Sequence, residues 1–521
     1  MKQNFMNTIK VETPSTNVFD LTHDHKLSGN MGFLIPTMTL ECIPGDNHTI
    51  SYESLLRFAP MLAPIMHRIR QYFHTFFVPS RVLWAGWEEY ISPSEPGATP
   101  PIHPYINFGP NGGGENPIVS GSLADYLGLP LTDDLNADQT AGARVSAFPF
   151  AAVQKIYNDY YRDQNLIPEV EWSLTDGDNS TVGDLLVLRQ RAWEHDLFTA
   201  SLPFAQKGAP VDLPLGTIGD LPINVNTLDP NFTTWDALFN GNPGTMSVPN
   251  QDSDNPAIPT GDMYAEGANA TLGATTINDF RMALRLQEFL ETDARGGTRY
   301  VESIYTHFGV KSDDARLQRP EYITGSVQNV SISEVLNTTG TDDAPQGDMA
   351  GHGIAYTQDD QRASYYCKEH GWIITLMSIM PQTAYQQGIP KHFLRINDRY
   401  EYMWPKMAHL GEEAVTNQEI YAYTVADPIT GPDATFGYMP RYYDYRYQQN
   451  RVSGDFQTNL AFWHEGRIFE TQPSLNDVFI TCVPSGRIFA VPDPATQKMW
   501  VQVLNKIKSA RKIPFFGTPT I

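Results

Sequence analysis

Tyr365 to Leu410 reads YYCKEHGWIITLMSIMPQTAYQQGIPKHFLRINDRYEYMWPKMAHL, and this stretch decides the fold. Its first half holds Trp372, Ile373, Ile374, Leu376, Met377, Ile379 and Met380, with only Thr375 and Ser378 between them. The run is too short to cross a membrane. Its β-branched content and the stop at Pro381 predict a buried strand rather than a helix. Beyond Pro381 the aromatic residues Tyr385, Tyr400, Tyr402 and Trp404 follow no period, and Pro390 and Pro405 break the chain. A buried strand that leads into a long aromatic excursion predicts a β core carrying its interaction surface on elaborated loops.

Other strands gather around this one. Ile69 to Pro79, IRQYFHTFFVP, is a second aromatic strand, and Leu34 to Ile43 a third that ends at Pro44-Gly45-Asp46. Val18 to His25 alternates in the period of a strand. Its His23-Asp24-His25 triplet suggests a metal or acid-base site, but on a strand Asp24 points away from both histidines, which favours packed or edge histidines. After Pro79, Ser80 is placed to cap a short helix through Trp84, Trp87 and Tyr90. Phe148 to Asp163 carries Val153, Ile156, Tyr157 and Tyr160 at helical spacing. Thr276, with Asp279 three residues on, opens another helix whose apolar stripe is Met282, Leu286, Phe289 and Leu290 and which ends before Gly296-Gly297. Tyr300 to Leu336 reverts to strands and turns. Thr496 to Ile507 reads as a helix with Trp500, Val503, Leu504 and Ile507 on one stripe.

Composition narrows the function. The chain has 521 residues, enough for about three domains or one β domain with large insertions. Its 39 prolines and 39 glycines favour turns and long connections over a helical bundle. A formal net charge of −23 disfavours a dedicated nucleic-acid binder, because phosphate binding needs clustered cations. Cys42, Cys367 and Cys482 are odd in number and far apart, which argues against a disulfide framework and for folding in a reducing compartment. Cys367 and His370 have a ligand-like spacing, yet no second such pair completes the four ligands of a structural zinc site. There is no apolar signal core and no transmembrane segment. GxSxG, HExxH, Walker A, GxGxxG and paired CxxC motifs are all missing, and thirteen histidines are scattered. No cofactor, metal or catalytic site is therefore assigned, and an enzyme is not expected.

Two segments read as insertions. Residues 92–143 are rich in Pro, Gly, Asn and Asp, and the triple glycine Gly112 to Gly114 lacks the Lys-Ser or Lys-Thr of a phosphate loop, so a surface loop is expected. Residues 209–275 hold eight prolines, seven glycines, eight acidic residues and no Lys or Arg. They read as one long acidic surface insertion, anchored by Phe232, Trp235, Leu238, Phe239 and Met246 if it is not a plain linker.

Two stretches could carry contacts. In GYMPRYYDYRYQQNRVSGDF, from Gly437, a strand would place Tyr443, Tyr445 and Tyr447 on one face and Tyr442, Asp444 and Arg446 on the other. Interleaved Arg and Tyr suit single-stranded nucleic acid, but equally a protein interface. With Asp444 and Asp455 alongside, the interface reading is preferred, with Arg441, Tyr443, Tyr445, Arg446, Tyr447 and Trp404 as candidates. After Asp493 the chain has no acidic residue but five basic ones, Lys498, Lys506, Lys508, Arg511 and Lys512, which are the candidates for nucleic-acid contact.

FDLTHDHKLSGNMG (from Phe19), SYESLLRFAPMLAPIMHRI (from Ser51), DARGGTRYVESIYTHFGVKSDDARLQRPEYITG (Asp293 to Gly325), the TAYQQGIPKHFLRINDRYEYMWPKMAHLGE run, GYMPRYYDYRYQQNRVSGDF and the terminal PFFGTP share a further property. Together they resemble the major capsid proteins of the Microviridae, small single-stranded DNA phages, and most of all the gokushovirus branch. The resemblance spans nearly the whole chain in order and departs mainly at 92–143 and 209–275. It implies a mainly β fold, an eight-stranded antiparallel jelly roll with long loop and helical insertions. It implies self-assembly of copies of this chain into a T=1 icosahedral shell around a circular single-stranded DNA genome, in the host cytoplasm. It also implies a small basic DNA-binding protein, a DNA pilot protein and a host surface receptor, a glycan, as partners. The acidic insertion is expected on the outer surface, as a three-fold protrusion, because a segment without cations is repelled by DNA. The competing class is a phage receptor-binding or carbohydrate-active jelly roll, which would form a small oligomer with a sugar groove.

Overall fold

The computed structural model describes residues 15–93, 99–109, 116–132, 143–212, 223–225, 263–265, 276–336, 349–357, 362–423, 431–491, 493 and 495–516. The triple glycine and most of 209–275, including its five candidate anchors, lie outside the described residues. The chain divides into two compact units, one of residues 1–205 and 293–521, the other of 206–292.

In chain order the strands are β1 (Asn17–Asp20), β2 (His23–Gly29), β3 (Ile35–Cys42), β4 (Asn47–Phe58), β5 (Ile69–Pro79), β6 (Tyr105–Phe108), β7 (Ala143–Ser146), β8 (Ile223–Val225), β9 (Met263–Ala265), β10 (Glu321–Asn329), β11 (Ser331–Leu336), β12 (Met349–Thr357), β13 (Ala363–Tyr366), β14 (Gly371–Pro381), β15 (Glu412–Thr416), β16 (Thr435–Pro440) and β17 (Met499–Arg511). Among the described residues these strands pair antiparallel throughout. In the larger unit a four-stranded sheet runs β10-β5-β14-β3, and a seven-stranded sheet runs β1-β17-β4-β12-β11, with β2 also on β17 and β13 also on β4. The fold is mainly β, consistent with a jelly-roll capsid fold.

The two sheets close on a shared core. Tyr52, Leu56 and Phe58 of β4 and Val501 and Val503 of β17 meet Phe73 of β5 and Met377 and Ile379 of β14. The Tyr52 and Phe73 rings lie 4.6 Å apart. The opposite face of the four-stranded sheet is covered too. Phe76, Val78, Ile374 and Leu376 pack there against Trp84, Ile106, Ile118, Leu123, Phe148 and Phe150. Apolar cover on both faces is why β14 and β5 read as continuous apolar runs instead of alternating ones.

Several expectations are corrected. Thr496 to Ile507 is not a helix but most of β17, in which Met499, Val501, Val503, Asn505, Ile507 and Ser509 point inward in strict alternation. Tyr300–Phe308 is a helix, not strand or turn, and ends at Gly309 in the left-handed region (φ +66°). Ser80 is the first residue of its helix rather than its cap, and the helix splits into Ser80–Leu83 and Trp87–Ile91. The segment 92–143 is not loop throughout, since it contributes β6, the helix Leu123–Tyr126 and buried Ile106, Ile118 and Leu123. The helix from Phe148 runs to Ile156 and continues as a π-helical turn, Tyr157–Tyr161.

Within the smaller unit β8 and β9 pair antiparallel. There Thr276 and Asp279 cap the helix Ile277–Gly296 reciprocally. The Asp279 backbone N–H donates to Thr276 Oγ1 at 3.2 Å, and the Thr276 N–H donates to Asp279 Oδ2 at 3.0 Å. Its residues Met282 and Leu286 remain exposed.

Candidate interaction surface

The excursion that follows β14 has a small core of its own. Tyr385, Val415, Ile420, Phe436 and Tyr443 pack with Leu197, Phe198 and Phe479. The antiparallel pair β15–β16 and the short helix Asn417–Ile420 frame it. Thr416 and Glu419 cap that helix reciprocally, and a Cβ at Gly388 would lie 1.9 Å from the Glu419 carbonyl, so only glycine lets the loop approach so closely.

On this base sits an aromatic surface locked by arginines. Arg395 is central to it. Its guanidinium pairs with Asp444, donates to the Glu401 carbonyl at 3.0 Å, and lies 4.4 Å from the centre of the Tyr445 ring. Tyr442 and Arg441 both donate to the Tyr400 carbonyl, at 3.3 and 3.4 Å, and the Trp404 indole donates to the Arg399 carbonyl at 3.0 Å. Phe393, Ile396, Tyr402, Met403, Trp404 and Tyr445 project from this scaffold into solvent, Ile396 with 83% and Trp404 with 50% of its surface exposed. Loops without periodicity normally hide such groups or lack them. Exposed apolar and aromatic groups on a scaffold held by ion pairs and cation–π contacts are the composition of an interface core.

The candidate interface residues divide. Trp404, Tyr445 and Tyr447 are exposed, and Arg441 and Arg446 lie beside them. Tyr443 is not on that face, because Pro440 ends β16 and Tyr442 takes a left-handed backbone (φ +61°) before a 3₁₀ turn, Tyr443–Tyr445. The predicted strand does not form, and Tyr443 is only 2% exposed, its hydroxyl donating to the buried carboxylate of Glu419. Burial and then that carboxylate hold the phenol far above its ordinary range. Lys391 reaches the same carboxylate at 3.4 Å and Glu413 at 3.3 Å. Sequence reading had Tyr402 in the aromatic excursion but missed Phe393, Ile396 and Met403. The only available signal was the density of large side chains between Pro390 and Pro405.

The basic residues also divide. Lys498 is buried and donates to the Asp493 carbonyl at 3.0 Å, and Arg511 lies 3.1 Å from the buried carboxylate of Asp46. Both serve the fold itself. Lys506 and Lys508 lie on the outward face of β17 together with Trp500, and Lys506 pairs with Glu53 of β4. Lys512 is exposed just beyond the strand. His23 and His25 form no site with Asp24, since their Nδ1 atoms lie 2.9 and 3.1 Å from the carbonyls of Leu21 and Thr37.

A β sandwich whose outsized loops present a rigid aromatic surface has the build of a structural, assembling protein. The chain belongs to the family described as capsid protein (F protein), whose sequence model matches residues 8–521. It is similar to capsid protein VP1 of Chlamydia phage 1, with 32% identity over 95% of this chain and 94% of that protein. It is also similar to capsid protein VP1 of Bdellovibrio phage phiMH2K, at 36% identity over 86% of this chain and 84% of that protein. Capsid protein VP1 of Spiroplasma virus 4 is 29% identical over 87% and 85% respectively. The chain is thus a major capsid protein and part of a virion, not an enzyme, as its resemblance to Microviridae capsid proteins implied. No relative favours the carbohydrate-active alternative. Among the described residues no helix is long and apolar enough to cross a membrane.

Proposed function

We propose that copies of this chain close into a T=1 icosahedral shell around a circular single-stranded DNA genome, with the Arg395-centred aromatic surface as a principal subunit contact. The observation that carries this reading is the exposure of Ile396, Tyr402, Met403, Trp404 and Tyr445 on a scaffold already fixed by Arg395 and Tyr442. Little ordering entropy is left to lose when a neighbour covers such a surface. Each contact can be weak, since closure of the shell makes them collectively strong.

The outward face of β17, with Lys506, Lys508 and nearby Lys512, turns toward the genome in this reading. The acidic insertion 209–275 turns outward and carries attachment to a glycan receptor on the host. A chain this acidic leaves much of the DNA charge to counterions and to a small basic DNA-binding protein, and a DNA pilot protein completes the particle.

The test is negative-stain microscopy of the purified protein, alone and co-expressed with its phage partners, for the wild type and for Trp404→Ala/Tyr445→Ala. Uniform closed shells from the wild type and unassembled subunits from the variant are expected. Shells from the variant at wild-type yield would remove the aromatic surface from the contact. Discrete small oligomers from the wild type under every condition would overturn the shell.

A further inference from the structure

A second chemistry-bearing cluster lies inside the larger unit, where the β3–β4 connection passes from one sheet to the other. Cys42 is the last residue of β3, His48 the second of β4, and Cys367 follows β13. The two cysteine sulfurs and a ring nitrogen of His48 all lie within 4.8 Å of one another. Cys42 is 1% exposed, and His48 and Cys367 are fully buried. The backbone holds them in register. The Cys367 N–H donates to the Asp46 carbonyl, and the Gly45 N–H donates to the Cys367 carbonyl, each at 2.8 Å. Gly45 turns this connection at φ +96°, a conformation that glycine adopts without strain.

The surroundings fit a cation better than plain packing. His48 Nδ1 lies 2.8 Å from the buried Ser509 hydroxyl of β17. In the tautomer that carries its ring proton on Nδ1, Nε2 is the nitrogen left to ligate, which is how an orienting partner prepares a ligating imidazole. Nε2 itself has no hydrogen-bond partner, and neither has Oδ1 of the fully buried Asp46. Asp46 Oδ2 lies 3.4 Å from His48 Nε2 and is held by the Ile43 N–H at 3.3 Å and by Arg511. A buried carboxylate oxygen without a partner is costly, and a cation bound beside it would offset that cost. His370, the ligand suggested by its spacing from Cys367, instead lies against the Trp87 ring at 5.5 Å.

We propose that Cys42, His48 and Cys367 bind a zinc-class divalent cation, with the Asp46 carboxylate beside His48 as a charge partner. Two thiolates and an imidazole are donor types zinc prefers. Tetrahedral zinc separates sulfur ligands by roughly 3.8 Å, so the cluster needs only a small contraction. Two thiolates and the Asp46 carboxylate carry three negative charges, which a divalent cation and Arg511 together neutralise in an interior that tolerates no net charge. The ion would tie β3 of one sheet to β4 of the other, and through Ser509 and Arg511 to β17. The thiol protons leave as the metal binds, so no oxidant is needed.

The full chain, expressed in zinc-supplemented medium and gel-filtered under reducing conditions, is assayed for metal per chain by elemental mass spectrometry. One zinc per chain is expected, released on blocking thiols with an organomercurial. Cobalt(II) in its place should give thiolate charge-transfer absorption and the visible bands of a tetrahedral site. Cys42→Ser and Cys367→Ser should abolish retention, Ser509→Ala should weaken affinity roughly tenfold, and Cys482→Ser should leave it unchanged. Absence of metal from the wild type, a Cys42–Cys367 disulfide in its non-reduced peptides, or full retention by the Cys42→Ser/Cys367→Ser double variant would each overturn the proposal. The wild-type measurements decide it even where a cysteine variant fails to fold.

Discussion

Replacing Arg395 by Met tests whether the aromatic surface is held from behind. The Arg395 and Asp444 side chains are 6% and 16% exposed, so the pair is largely withdrawn from water. Removing the cation alone strands the Asp444 carboxylate, at a cost of about 3 kcal/mol, the lower end for a broken buried pair because some solvent still reaches it. Loss of the contact with the Tyr445 ring, 4.4 Å away, adds about 1 kcal/mol. For a unit of this size the unfolding entropy is roughly 0.9 kcal/mol/K, so Arg395→Met should lower Tm by about 4 °C. Adding Asp444→Asn removes the stranded charge and should restore all but about 1 °C. Scanning fluorimetry of unassembled subunits reads the two shifts, and microscopy reads shell yield. Because Tyr445 and Tyr402 lose their anchor in both variants, shell yield should stay low in the double variant while stability recovers. A double variant as unstable as the single one would refute the ion-pair reasoning. Recovery of assembly along with stability would refute the role of Arg395 in positioning the surface.

Changing Lys506, Lys508 and Lys512 together to Gln should reduce DNA retention more than shell formation. For three phosphate contacts the salt dependence of single-strand binding should flatten by about 2 in log–log slope, and an unchanged slope would end the DNA role of this face. Ile374→Ala, at a fully buried position between apolar layers, should cost about 2–5 kcal/mol in denaturant unfolding. Ile396→Ala should stay within about 0.5 kcal/mol in the isolated subunit yet lower shell yield. His67 and His74 are both held down to about 4, mainly by burial, with the Arg191 charge adding to the effect at His74. Their unfolded forms take protons first as pH falls, so stability present above pH 6.5 should decline between 6.5 and about 4 and level off below, by up to about 3 kcal/mol per group. In denaturant titrations across that window His67→Gln/His74→Gln should flatten the decline, and an undiminished slope would assign it to other groups.

Sequence period was a reliable guide where one kind of environment prevailed. β14 and β5 are covered on both faces, so their apolar runs carried an unmistakable signal. The cap at Thr276 was legible because both partners lie within one turn. β17 misled because Trp500, Val503, Leu504 and Ile507 happen to fit a helical period. Its true alternation was disguised by inward polar residues, Asn505 donating to the Thr37 carbonyl at 2.9 Å and Ser509 held by His48. Tyr443 misled for a different reason. The left-handed backbone of Tyr442, a non-glycine residue, cannot be read from residue type, and it turns Tyr443 inward toward Glu419. Of the interaction surface, Trp404 and Tyr445 were legible as exposed aromatics, whereas the clamp of Arg395 on Asp444 joins positions 49 residues apart and needed the fold. The meeting of Cys42, His48 and Cys367 was hidden likewise, since β13 must first pair with β4 to bring the third residue in.

β17 has a consequence for how the particle is made. It occupies the middle of the seven-stranded sheet, between β4 on one side and β1 and β2 on the other, and joins residues as far apart as His48 and Ser509, 461 positions along the chain. At ribosomal speeds of about 5–20 residues per second, β4 waits roughly half a minute to a minute and a half for that neighbour. Until then its edge is open and the sandwich lacks its central plank. A chain cut short by premature termination or proteolysis therefore never completes the large sheet. Such a fragment should go to the host's quality-control machinery rather than into a particle. Translation to the far end is in effect the inspection step that admits a subunit to assembly.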